Sequence, residues 1–157
     1  MARGAIVAGK LLAGWLTTLA VAAAILAIGA ALGFLRPAGW YWLPALGMMG
    51  LYALAASGMG AALGVTLRTL PLVTAASTNI ASYLFFLSGG TSVVAFLPDW
   101  VQAIAHFMPS YYAVHALDAA VFYASTEELG RDVAVVAATA ALTVILGALA
   151  LRRRVAA

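Results

Sequence analysis

Four long apolar runs without a single charge constrain this chain more than any other feature. They run from about Leu11 to Leu35, Leu43 to Thr66, Leu70 to Leu97 and Val133 to Leu151. Uncharged runs of about 18 residues or more are the mark of helices that cross a bilayer. The 157-residue chain is 66% hydrophobic and only 8% charged, whereas soluble domains carry roughly 25% charged residues. So few charges cannot cover a water-facing surface of this size. Arg3 and Lys10 could open a secretory signal, but the run behind them is longer than a signal core of roughly 7–15 residues. The expected fold class is therefore an all-α integral membrane protein with four transmembrane helices, forming a single transmembrane domain over residues 1–157.

The segment between the third and fourth runs, from Pro98 to about Ala124, is different. Pro109 divides it, and the residue before a proline avoids helical geometry, so one helix should end near Met108. The halves have about 10 and about 14 residues, too short at 1.5 Å per residue for a hydrocarbon core of roughly 30 Å. Trp100, Val101, Ile104, Phe107 and Met108 share a face opposite Asp99, Gln102 and His106. In the second half Tyr111, Val114, Leu117, Val121 and Phe122 oppose His115 and Asp118. The pattern predicts a broken re-entrant or interfacial hairpin before the last span. Ser125 with Glu128 three residues later fits a capping box that would start the final helix.

Basic residues orient the spans. An N-terminus and C-terminus both in the cytoplasm place Arg3, Lys10, Arg68, Arg152, Arg153 and Arg154 inside, with only Arg36 and Arg131 outside. Lysine and arginine gather on the cytoplasmic side, so the hairpin is expected on the extracytoplasmic face. All five acids, Asp99, Asp118, Glu127, Glu128 and Asp132, fall there too. Arg36-Pro37 and the cluster Trp40, Tyr41, Trp42 mark the outer end of the first span, where aromatic rings favour the headgroup level.

Candidate chemistry is sparse. The chain has no cysteine, which excludes disulfides and thiolate metal sites. His115 and Asp118, spaced i,i+3, share a helix face. They could form a proton relay or half a metal site, although the favoured reading is an exposed polar face. No ionisable residue lies in the middle of a span, which argues against an ion-coupled pump or a charged-ring channel. Thr74, Ser77, Thr78 and Asn79 cluster in the third span, as a polar path or, more in keeping with such residues, bonded to their own backbone or as glue between helices, with glue favoured. Gly29/Gly33 and Gly60/Gly64 have the spacing that lets helices approach closely. No Walker motif, dinucleotide fingerprint or zinc-protease helix is present, so no catalytic residue, metal, cofactor or nucleic-acid partner is expected, and ATP hydrolysis would belong to another subunit.

Three stretches in order resemble a known family. Met1-Ala2-Arg3-Gly4-Ala5-Ile6-Val7-Ala8-Gly9-Lys10-Leu11 is similar to a segment of arginine, isoleucine and glycine-lysine that leads into the third span of type-2 ABC exporter permeases. Phe85-Phe86-Leu87-Ser88-Gly89-Gly90 resembles a phenylalanine/leucine–serine–glycine stretch of their fifth span. Leu97-Pro98-Asp99-Trp100 followed by Pro109-Ser110-Tyr111-Tyr112 resembles their broken external hairpin. The resemblance implies the membrane subunit of a bacterial inner-membrane exporter. It implies a path shared with a second permease half, alternating access, and separate cytoplasmic ATPase subunits. A drug-like molecule, a lipid or a glycan precursor would fit as substrate, and no substrate-binding residue is assigned. The family has six spans with a coupling helix between the second and third, and the similarity begins just after that helix. The chain is accordingly expected to be a C-terminal part lacking the first two spans, and to need the missing part for transport. The alternative is a small four-span scaffold or interaction protein. A membrane enzyme using His115 and Asp118 is the third reading. A neighbouring gene for a Walker-motif ATPase would favour the exporter over the scaffold.

Overall fold

The computed structural model describes residues 3–34, 39–67, 69–89, 94–123 and 125–156. Six α-helices follow in order: α1 Arg3–Ala31, α2 Trp42–Thr66, α3 Leu70–Leu87, α4 Asp99–Phe107, α5 Pro109–Phe122 and α6 Leu129–Ala156. Short 3₁₀ turns lie at Gly39–Tyr41 and Val94–Phe96, and no strand occurs among the described residues. Four segments are long and apolar enough to cross a membrane: Ala8–Ala31, Trp42–Thr66, Leu70–Leu87 and Leu129–Leu151. The all-α membrane architecture and the hairpin break are as the sequence predicts. Met108 is extended (φ −89°, ψ 127°) between α4 and α5, as a residue before proline must be to avoid the ring. Arg36-Pro37, Arg68, Gly90, Ala124 and the start at Met1-Ala2, all used in the sequence reading, lie outside the described residues.

Local chemistry sets the helix ends. Gly33 has φ 77°. Its N–H donates to Ala30 O and that of Phe34 to Gly29 O, both at 3.0 Å. This paired cap needs a left-handed residue, which glycine supplies without a Cβ clash. Gly33 therefore ends α1. The third span is shorter than expected. The apolar run continues to Leu97, but α3 stops at Leu87, and Gly89 takes φ 92°. Apolarity alone does not keep a backbone helical past a Ser-Gly stop. The 18 residues of α3 span about 27 Å at 1.5 Å per residue, close to the hydrocarbon thickness.

Helix α2 is central, with α6 as its most extensive neighbour and α1, α5 and α3 around it. The α2–α6 crossing rests on Gly58 and Gly147. A Cβ on Gly58 would lie 2.5 Å from the Thr143 carbonyl carbon, and one on Gly147 would lie 2.6 Å from Gly58 O. The expected pair behaves differently, since a Cβ on Gly60 or Gly64 would meet nothing within 4 Å. Helix α1 is held to α2 by two hydrogen bonds of 2.8 Å: Trp15 Nε1–H to Gly50 O, and Ser57 Oγ–H to Leu11 O. Gly14 makes room for that serine, for its Cβ would sit 2.8 Å from Ser57 Oγ. Thr74 and Asn79 bond Leu70 O and Ala75 O of their own helix, one of the two ordinary roles of such residues, rather than bonding a neighbouring helix. No residue of α3 is buried.

Helix α5 lies along the N-terminal halves of α2 and α6 and completes the core. Met48 of α2 packs with Ala113, Ala116 and Val136, and Ala45 packs with Ala120 and Val121. The face that α5 buries is thus an alanine stripe through Ala113, Ala116 and Ala120 together with Ser110 and Val121. Of the bulky stripe drawn from the sequence through Tyr111, Val114, Leu117, Val121 and Phe122, Val121 is buried and Leu117 packs against the core, whereas Phe122 is exposed. Small side chains let α5 sit close to two neighbours at once. On α4 only Ala105 is buried, and its large apolar residues turn away from the bundle, Phe107 being 88% exposed.

Candidate functional site

Polar side chains converge where α5 meets the start of α6. Ser125 does not form the expected capping box. Its Oγ accepts a long 3.5 Å bond from the Glu127 N–H, and α6 begins at Leu129 after a turn closed by Leu129 N–H to Thr126 O at 3.2 Å. This start places Glu128 before the helix, with Arg131 and Asp132 on its first turn. Two negative groups near the positive end of the helix dipole are favourable.

His115, half-buried on α5, donates from Nδ1 to Asp132 Oδ2 at 2.7 Å. The sequence pointed to Asp118 as its partner, but the partner lies on another helix, 17 residues away. In the neutral ring this bond leaves Nε2 with a lone pair, and Nε2 lies 4.0 Å from Glu128 Oε2. Arg131 Nη2–H donates to the same Glu128 oxygen at 2.6 Å. Its Nε lies 3.5 Å from Asp132 Oδ1, and its guanidinium stands 5.5 Å above the Tyr112 ring. Asp132 is fully buried, and its Oδ1 accepts no hydrogen bond among the described residues. One donor atom each from His115, Glu128 and Asp132 lie within 4.8 Å of one another. These three residues line a cleft of 360 Å³ with Ala119, Tyr123 and Ser125. They are the group that could hold a metal. The sequence reading found too few ligands because it took His115 with Asp118 alone.

Asp118 faces elsewhere. It lines an apolar cleft with Ala22, Ile25 and Leu26 of α1 and Met49 of α2. Burial raises its carboxyl above the ordinary carboxylate range, and His115 partly offsets this. His106, the other histidine, bonds through Nδ1 to Gln102 O at 2.7 Å on α4. Its own carbonyl accepts from the Tyr112 hydroxyl at 2.8 Å, tying α4 to α5. The same burial and hydrogen bonding join α5 to α3, where the Ser110 hydroxyl reaches Leu84 O at 3.4 Å.

A second concavity opens at the other end of the bundle, between α1, α2 and the last residues of α6. It measures 520 Å³ and is lined by Lys10, Gly14, Thr18, Ser57, Gly60 and Leu151 among others. The two hydroxyls bond backbone carbonyls, Ser57 that of Leu11 and Thr18 that of Gly14. The groove is thus mildly polar, with Lys10 at its rim, and sequence spacing gave no hint of it beyond Gly60/Gly64.

Comparison with curated proteins finds no match. A family described as ABC-2 family transporter protein matches residues 3–149. That span takes in three of the candidate membrane helices and the fourth up to residue 149, together with the hairpin and the polar cluster around His115. The chain belongs to the ABC-2 transporter membrane family and is a multi-pass permease component of an ABC transporter.

Proposed function

We propose that the chain is a permease subunit of an ATP-driven exporter in a bacterial inner membrane. The family match over residues 3–149 is the observation that carries this reading. The subunit forms a substrate path with a second permease half, and separate cytoplasmic ATPases drive alternating access. It does not itself catalyse a reaction. Both termini lie in the cytoplasm and the α4–α5 hairpin lies outside. The basic residues support that orientation, since four membrane crossings put Lys10, Arg68 and Arg152 to Arg154 on the cytoplasmic side in sequence and all five acids on the other. Exposed apolar residues on α1 and α3, among them Leu16, Ile25, Leu72 and Phe86, suit contact with lipid and with the second half. The groove around Lys10 and Gly60 lies at the end that faces the ATPases in this orientation.

The test is reconstitution of the chain, in its native sequence context, with the ATPase encoded beside it. Vanadate-sensitive ATP hydrolysis is expected from the complex in proteoliposomes and none from the permease alone. An ATPase whose activity and membrane attachment are indifferent to the permease would contradict the reading.

A further inference from the structure

We propose that His115, Glu128 and Asp132 form a site for one late divalent metal ion, zinc foremost, that clips the hairpin helix α5 to the last span. Three acceptor groups converge on one cleft: an imidazole, an exposed carboxylate and a fully buried carboxylate. An independent observation points to a cation there. Asp132 Oδ1 is buried, has no hydrogen bond among the described residues, and lies 3.5 Å from its nearest cationic atom, Arg131 Nε. A buried carboxylate oxygen without a donor is costly, and a metal would satisfy it.

The donor set selects the ion class. One nitrogen with two carboxylate oxygens suits zinc and its neighbours, whereas magnesium and calcium favour oxygen alone. Three protein ligands leave a fourth position for water, and the 360 Å³ cleft gives it room. A metal on Nε2 would lie across the ring from the carboxylate held at Nδ1, so the ion takes the place of the proton that His115 Nδ1 and Asp132 Oδ2 share at 2.7 Å, and the ring keeps its N–H on Nε2. Tetrahedral ligands about 2.1 Å from zinc are about 3.4 Å apart. The widest donor pair, now within 4.8 Å, therefore has to close by roughly 1.4 Å. Glu128 can supply most of this, because it precedes α6 and its side chain is 54% exposed.

Arg131 is the resident competitor. Its guanidinium holds the Glu128 oxygen that the metal needs, and it is 55% exposed, so it can swing away. Two carboxylates and one guanidinium leave the cluster net negative with a neutral His115, which favours a divalent ion over an empty site held by arginine alone.

The experiment uses the full chain without a polyhistidine tag, in lipid nanodiscs. Zinc binding is measured by calorimetry, and cobalt substitution is read by visible absorption. One zinc per chain is expected, with a tetrahedral cobalt spectrum. Glu128→Gln and His115→Ala should each weaken binding by at least about tenfold, and Arg131→Gln should tighten it. His106→Ala should leave it unchanged. Circular dichroism checks that each variant keeps its helices, and the exposed Glu128 keeps the test valid if His115→Ala fails to fold. Equal zinc affinity in the native protein and in folded Glu128→Gln would overturn the proposal. So would a binding site lost with His106→Ala, or no binding below millimolar zinc.

Discussion

Gly58 and Gly147 show how one hydrogen in place of a methyl group sets a helix crossing. Gly147 admits the carbonyl of Gly58, and Gly58 admits the Thr143–Val144 peptide, main-chain atoms that could not rotate away from a Cβ. Gly58→Ala should destabilise the bundle by about 1–3 kcal/mol, the usual cost of overpacking. Gly60→Ala, whose Cβ meets nothing within 4 Å, should change little. Thermal unfolding in detergent would compare the two, and equal midpoints would contradict the assigned crossing. Asp118 gives a second residue-scale prediction. Burial raises its carboxyl pKa, so the folded state holds the proton more readily than the unfolded chain. Stability is then lost as pH rises from the unfolded value toward the folded one, and the loss persists above it. Asp118→Asn should remove that dependence and leave the protein equally or slightly more stable at neutral pH. A marked loss of stability at neutral pH on making Asp118→Asn would show that the charged form is the favoured one. The His115–Asp132 pair was not legible in the sequence. The spacing of His115 and Asp118 is a property of one helix, while the bond to Asp132 depends on α6 docking beside α5.

At the scale of elements, the sequence is most informative where one physical effect dominates. Proline geometry fixes the break at Met108, and the absence of charge fixes the existence of four spans. It is least informative where apolar residues continue beyond the helix, as from Ser88 to Leu97. Hydropathy registers the side chains there, but Gly89 at φ 92° ends the helix. The buried face of α5 is only partly legible for a related reason: Leu117 and Val121 stand out in the sequence, but Ala113, Ala116 and Ala120 do not. Large apolar residues usually mark the core in water, but a membrane bundle has lipid available for them and uses alanine where helices touch. The same logic predicts where α4 lies. Its Trp100 and Phe107 face away from the protein, at 69% and 88% exposure, and a nine-residue amphipathic helix suits the headgroup boundary. With Trp15, Trp40 and Trp42 replaced by phenylalanine, Trp100 fluorescence should be quenched more by lipids brominated near the headgroup than by those brominated near the chain end. Stronger quenching by the deep probe would place α4 inside the hydrocarbon core instead.

For the whole molecule, α2 and α6 form a packed axis, α1 and α3 flank it with largely exposed apolar faces, and the hairpin closes one end. Two concavities lie at opposite ends, the acidic one by His115 and Asp132 and the mildly polar one by Lys10 and Ser57. The exporter reading assigns those ends to opposite sides of the membrane, with the hairpin facing away from the ATPases. The chain has no cysteine, so single-cysteine labelling is free of background. Lys10→Cys and Glu127→Cys, both at exposed positions, are made separately in the full chain in intact cells. A membrane-impermeant maleimide should label Glu127→Cys from outside and reach Lys10→Cys only after permeabilisation. Labelling of both from outside, or of Lys10→Cys alone, would contradict the account.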